Sequence, residues 1–186
     1  MSAAPRRLPQ CLRLLALAAG LAGAGLAWAD DYGDVHALIR AGKAADAVAK
    51  ADQYLAGKPR DPQMRFLKGV AQTEAGRSAD AIATFSALNA DYPELPEPYN
   101  NLAVLYAGQS QFDKARAALE MAVRANPGYA VAHENLGDVY AKLAAVEYAK
   151  AQQLDAANPT VGAKLTLVRQ LFAPADQARA PAAPAR

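Results

Sequence analysis

One fixed step along the chain constrains it more than any other feature. Pro59, Pro93 and Pro127 stand 34 apart, and Ala47, Ala81 and Ala115 keep the same step. Alanine is too common to carry weight, but proline is only 12 of 186 residues, so the two proline coincidences have a joint chance of about 0.4%. Within one period, Tyr99, Leu102, Ala103 and Tyr106 fall at i, i+3, i+4 and i+7, one face of an α-helix. After the polar break Gly108-Gln109-Ser110-Gln111, Ala115, Leu119 and Ala122 repeat the facing pattern, and Pro127 ends it. The unit is a helical hairpin. One hairpin leaves an apolar face uncovered, so such units must stack on copies of themselves.

The period and the residues Tyr99, Leu102, Ala103, Tyr106, Ala115, Leu119, Ala122 and Pro127 resemble a tetratricopeptide repeat. The resemblance covers most of the chain after residue 30. It implies an all-α fold: a right-handed superhelix of stacked antiparallel hairpins closed by a carboxy-terminal capping helix.

Composition matters chiefly at the amino terminus. Arg6, Arg7 and Arg13 lie within residues 1–29, which hold no acid, so residues 30–186 carry 17 basic against 18 acidic side chains. A net charge of −1 fits one domain and gives no electrostatic case for nucleic acid. Residues 1–29 read as a secretory signal. Three arginines precede or open the apolar run Leu14 to Leu26, and Ala27-Trp28-Ala29 offers small residues at the two positions a signal peptidase accepts. Cleavage is expected after Ala29, giving a periplasmic protein. The alternative is an uncleaved membrane anchor, but the run is short and rich in Ala and Gly beside the about 20 apolar residues of a spanning helix, so cleavage is the favoured reading and no stable membrane insertion is expected after it. Pro9 and Gln10 depart from the twin-arginine pattern and point to ordinary Sec export. Cys11 precedes the apolar run, where it cannot be a lipidation site. The mature chain then has no cysteine, which excludes disulfides, thiol catalysis and cysteine-held metals.

Repeats are expected at about 30–61, 62–95, 96–129 and 130–157. The first keeps Gly42, Ala47 and Pro59 but has Asp34 and Val35 where the family favours Leu and a small residue, as a polar terminal cap would. The second is marked by Gly69, Gly76, Ala81, Phe85 and Pro93, with Gly69 at the helix crossing and Gly76 in the turn. Lys68 replaces an expected Leu, leaving Leu67 to supply the apolar contact. Tyr92 to Pro98 holds three prolines and reads as a stiff corner. In the fourth repeat Leu136, Gly137 and Tyr140 arrive on schedule, one period after Leu102, Ala103 and Tyr106. Only Ala141, Lys142 and Leu143 then precede the stripe Ala144, Tyr148 and Ala151, so about five residues of turn are missing. Either the turn is very tight or the two helices run on as one. Val161, Leu165, Val168, Leu171 and Phe172 form the stripe of a capping helix at about 160–173, and residues 174–186, dominated by Ala, Pro and Arg, read as a disordered tail.

Reactive groups are scarce. His133-Glu134 opens like HExxH, but Gly137 stands where the second histidine is needed, so no metal is expected there. His133 aligns with Tyr99 and reads as a packing residue. No phosphate loop or nucleophile elbow occurs, and no cofactor, metal or catalytic residue is expected.

What the resemblance implies about a site concerns the surface. In the family the first helix of each hairpin lines a concave groove. By alignment this gives Tyr32 and His36, then Phe66 and Val70, then Asn100, Asn101 and Val104, then Glu134, Asn135 and Asp138. The lining grades from aromatic through amide to acidic and suits an extended peptide with apolar and basic side chains, the amides bonding its backbone. Some members clamp a terminal carboxylate with Lys, Arg and Asn; here Asn101 and Asn135 fit and the cations are missing, so no such clamp is expected. The reading that results is a non-catalytic adaptor, similar to exported tetratricopeptide proteins of Gram-negative envelopes, that binds a protein or extended peptide. A self-associating structural protein, a homo-oligomer, is the alternative.

Overall fold

The computed structural model describes residues 26–172. The leader expected at 1–29 lies outside them as far as residue 25, and the tail expected at 174–186 lies outside them entirely. Among the described residues there are only helices: α1 Leu26–Arg40, α2 Ala44–Gly57, α3 Pro62–Glu74, α4 Ser78–Asp91, α5 Pro96–Gly108, α6 Phe112–Ala125, α7 Ala130–Leu154 and α8 Pro159–Gln170. They form two compact units divided between Thr84 and Phe85, within α4.

Short reversals make the hairpins. The chain turns back at Gly42, Gly76 and Ser110, spaced by the same period, and they have left-handed φ values of 70°, 71° and 58°. The same two hydrogen bonds close all three turns. Gly42 N donates to Ile39 O and Lys43 N to Leu38 O, at 3.0 and 2.9 Å; Gly76 N and Arg77 N repeat this with Thr73 O and Gln72 O, and Ser110 N and Gln111 N with Ala107 O and Tyr106 O. This is the glycine-type helix stop, which satisfies two carbonyls the helix end would otherwise leave bare. Ser110 takes, against steric resistance, a conformation that glycine adopts without it.

In the first unit α1, α2 and α3 pack together. Val35, Ala47, Val48, Ala51, Met64, Leu67 and Ala71 form its buried centre. Leu67 is buried as expected, while Lys68 leans out to pair with Asp52 at 2.6 Å. A polar clamp supplements this small core. The Tyr32 hydroxyl donates to Asp61 Oδ2 at 2.5 Å and lies 3.0 Å from the Tyr54 hydroxyl, which also donates to Asp61 Oδ2 at 3.1 Å. Asp61 Oδ1 accepts from Met64 N at 2.9 Å and so caps α3, with Pro62 at the position where a missing N–H costs nothing. One carboxylate thus ties α1 and α2 to the start of α3. Burial and the Asp61 hydrogen bond push the Tyr32 hydroxyl well above the ordinary tyrosine range. Burial alone pushes Asp61 up, but the bonds from Tyr32, Met64 N, Tyr54 and Gln63 N outweigh it and hold the carboxyl below its usual value.

In the second unit α5 packs on α6, α6 on α7, and α7 on α8. Phe85, Leu88, Leu102, Ala103, Ala115, Leu119, Ala122, Ala132, Val139 and Leu165 are buried. The proline-rich corner is shorter than its sequence suggests. Helix α5 already begins at Pro96, and Pro96 and Pro98 are buried in its first turn, so Tyr92 to Leu95 alone makes the bend.

The fourth repeat does not fold back. Helix α7 runs unbroken for 25 residues through the place where the period puts a turn. Residue 144, one period after Ser110, is a helical alanine. The two helices run on as one, and three residues of the repeat pattern are left without a covering helix. Tyr140 is 49% exposed, its hydroxyl only reaching Glu120 at 3.5 Å, because no second helix returns to cover it. Gly137 sits in no helix crossing: a Cβ there would meet nothing within 4 Å. His133 is exposed, and its ring nitrogen sits 2.9 Å from Pro127 O. In the cap, Leu165 is buried and Val161 and Val168 half-buried, but Leu171 lies beyond the end of α8 and is exposed.

Replacing Ser110 with glycine should remove the left-handed strain at the third turn and, after the added flexibility of the unfolded chain, stabilise the protein by roughly 0.5–1 kcal/mol. Chemical denaturation should show the gain; an unchanged or lower midpoint would contradict the backbone geometry. Because folding lowers the Asp61 pKa below its ordinary 3.8, the clamp's contribution is complete above that value and is lost as pH falls through the folded pKa. Asp61→Asn should cost roughly 1 kcal/mol at pH 7, since its bonds lose their charge. The same change should flatten the acid side of the stability profile, and an equally steep acid loss in the variant would show that Asp61 is not its source.

Candidate functional site

The ten expected groove residues fall on α1, α3, α5 and the first half of α7, and the two units treat them differently. In the first unit Tyr32 is held by Asp61 and Tyr54, its ring 5.5 Å from the Tyr54 ring. Phe66 packs against the buried centre, Val70 is half-buried and His36 exposed. Tyr32 is therefore a clamp residue whose hydroxyl is already engaged.

In the second unit α5, α6, α7 and the segment after α8 enclose a cleft of about 440 Å³. Ala103, Leu119 and Val139 make its buried floor. Val104, 51% exposed, and Phe112 form one wall, and Phe172 closes the other. Asn135, Asp138 and Lys142 bring polar groups from α7, and Ser110 brings one from the α5–α6 turn. Packing decides the floor: a small residue at 103 and a fully buried Leu119 leave room for a ligand above them. The lysine is placed by its neighbour, with Lys142 Nζ 3.6 Å from the centre of the Phe172 ring, a cation–π contact.

Three of the expected residues, Val104, Asn135 and Asp138, meet in this cleft. Glu134 is exposed on the same helix. The asparagines depart from expectation. Asn100 is buried at 7% exposure and its Oδ1 accepts from Asn135 Nδ2 at 2.8 Å. Asn101 turns its Nδ2 onto Glu97 O of its own helix at 2.8 Å. A buried amide must find its partners inside the protein, so Asn100 fastens α5 to α7 instead of lining an open groove.

The alignment does not point to Phe112, Lys142 or Phe172. It counts only first-helix positions, whereas α6 and the segment after α8 also wall this cleft. Lys142 has a signal in the sequence: it stands i+4 from Asp138, on the same side of any helix that continues past Tyr140.

Chemically the cleft offers an apolar floor, a carboxylate, an amide and a shielded ammonium. Among the described residues no group of three or more His, Cys, Asp and Glu is placed to hold a metal ion, and no helix is long and apolar enough to cross a membrane.

Comparison with known proteins agrees with this architecture. Over 52 residues, 28% of the chain, the sequence is 46% identical to the tetratricopeptide repeat domain-containing protein PYG7, chloroplastic, of Arabidopsis thaliana. The matched stretch spans only 17% of that relative. Among solved structures, the chain resembles the first tetratricopeptide domain of human RPAP3, with a TM-score of 0.59 and 15% identity over 63% of this chain and 92% of that one. It also resembles the type III secretion chaperone SycD of Yersinia enterocolitica, solved with a peptide of the translocator YopD; here the TM-score is 0.57 and the identity 17%, covering 67% and 95% of the two chains. A tetratricopeptide protein of Thermus thermophilus gives a TM-score of 0.58 at 22% identity, covering 80% and 84%. The sequence profile of the tetratricopeptide repeat matches residues 32–96 and 100–160, more than half of the chain. With helical hairpins turning at one fixed period and that match across both units, the chain belongs to the tetratricopeptide repeat family.

Proposed function

We propose that this protein is a non-catalytic adaptor of the periplasm that holds an extended segment of a partner protein of the cell envelope. The observation that carries the reading is the cleft of the second unit. An apolar floor of Ala103, Leu119 and Val139 beside the carboxylate of Asp138 suits a peptide with an apolar side chain followed by a basic one. The fold neighbours support it in kind: SycD was solved with a peptide of YopD, and the first tetratricopeptide domain of Spaghetti (RPAP3) with the HSP90 peptide SRMEEVD. Those ligands belong to those proteins, and the cleft here has its own chemistry. The periplasmic part of the proposal rests on the basic, apolar and small-residue succession of residues 1–29.

Two measurements test it. A displayed library of random peptides should enrich sequences that pair apolar with basic residues. Val104→Arg or Asp138→Lys, both at exposed positions and so harmless to folding, should weaken the best of them by about tenfold, the loss of roughly 1.4 kcal/mol. Enrichment that ignores both substitutions would remove the cleft from the account. Separately, sequencing of the envelope-borne protein should begin at Asp30, and a chain still starting at Met1 would refute the exported reading.

A further inference from the structure

The unbroken fourth repeat leaves a second surface, on the side of α7 away from the cleft. In the third hairpin Ala103 of α5 and Ala115, Ala118 and Ala122 of α6 are buried as the two helices pack. A pair of antiparallel helices turned at Ser110 sets Tyr106 opposite Ala115, Ala103 opposite Ala118 and Tyr99 opposite Ala122. Carried to the fourth repeat, by 34 before the missing turn and by 29 after it, these six positions are His133, Gly137, Tyr140, Ala144, Glu147 and Ala151. Their spacings are 4, 3, 4, 3 and 4, so in a continuous helix they fall in one line along one face.

That line is uncovered. His133, Gly137, Tyr140 and Glu147 are exposed and Ala144 and Ala151 only half-buried, whereas the counterparts in the third hairpin are buried alanines and half-buried tyrosines. Leu154, one more step along the line, is 80% exposed. Gly137 stands at the family position that lets a second helix approach closely, and a Cβ there would meet nothing within 4 Å. Helix α8 does pack on α7, but along another side, where Lys164 Nζ lies 5.7 Å from the centre of the Tyr148 ring.

We infer that α7 pairs antiparallel with α7 of a second copy of this chain, restoring between two molecules the hairpin that neither forms alone. The occupant is set by the surface itself. Half of the line has first-helix character and half second-helix character, and another α7 presents the same halves in reverse order. A two-fold axis near residue 142 then places Tyr140 against the partner's Ala144, Gly137 against the partner's Glu147, and His133 against the partner's Ala151. Such an interface is self-complementary and closes at two chains. Deleting a turn is also a physical route to exchange between protomers, since a segment that cannot fold back finds its site on a copy. The cleft residues Asn135, Asp138, Val139 and Lys142 lie on the other side of α7 and stay open, so the inference does not rest on the peptide reading.

The test uses full-length chains with Cys11→Ser, one carrying Tyr140→Cys and the other Ala144→Cys, coexpressed and oxidised. Disulfide-linked dimer should form at about tenfold the yield of either variant alone, because only the mixed pair brings the two thiols within bridging distance. Inserting Gly-Gln-Ser-Gln-Phe, the turn of the third repeat, between Ala141 and Lys142 should let each chain fold back on itself and abolish the crosslink. Gly137→Trp, at an exposed site with nothing to clash within its own chain, should do the same while leaving the circular dichroism spectrum unchanged. No linked dimer from the mixed pair, or one that survives both the insertion and Gly137→Trp, overturns the proposal.

Discussion

Everything in this fold depends on whether the chain can reverse. A helix with an apolar stripe is stable in water when a second stripe covers it, and the nearest one available belongs to the next helix in sequence. To bring it round within a few residues, one residue must take the left-handed conformation and two backbone bonds must close the helix end. Gly42, Gly76 and Ser110 meet that condition. Where they do, alanines such as Ala47 and Ala115 disappear completely from solvent. Residue 144 is where the period calls for a fourth reversal, and an alanine inside a chain of strong helix formers does not provide one.

The first unit shows what compensates when the stripe itself is weak. Its opening helix carries Asp31, Tyr32 and Asp34 where a repeat is usually apolar, and polar contacts do the fastening. Lys50 reaches both Asp31 and Asp34, at 3.1 and 2.9 Å, while Asp61 gathers the two tyrosines and the α3 cap. These half-exposed ion pairs contribute little. The Asp61 cluster contributes more, since one carboxylate satisfies four donors of which two are the tyrosines that reach it from α1 and α2. A tyrosine aligned with a groove position is thereby recruited into structure.

What the sequence discloses about this protein follows from which signals are periodic. Hairpin positions recur, so periodicity alone assigns Leu102, Ala115, Leu119 and Ala122 to the core and a turn to Gly76, where the structure has them. The cleft is legible only in part. Val104, Asn135 and Asp138 occupy first-helix positions and alignment finds them, whereas Phe112 opens the second helix α6, Lys142 lies on the lengthened α7 and Phe172 follows the cap helix, none of them at an aligned groove position. Alignment misplaces Asn100 because it gives the side of a helix and not its neighbours: the amide of Asn135, on α7, decides that Asn100 is tied down. The proline corner misleads for a related reason. Three closely spaced prolines suggest a bend, yet a helix start accepts proline as readily as a loop does, and Pro96 and Pro98 belong to α5.

The length of the missing segment matters as much as its loss. With five residues gone, Ala144 follows Tyr140 by four, one turn along the same side of the helix, so the stripes of the two lost partners run end to end. A loss of four residues would have swung the second stripe by about 100° round the helix axis and scattered the apolar positions over two faces. The observed deletion leaves one seam instead, and leaves it opposite the side that builds the cleft. Helix α7 therefore carries two separable surfaces: one that its own hairpin neighbours complete, with Val139 buried and Asp138 and Lys142 at the rim, and one that nothing among the described residues of its own unit completes. In a hairpin the two stripes would have satisfied each other. Placed in series on one rod, they can meet only stripes that run the opposite way.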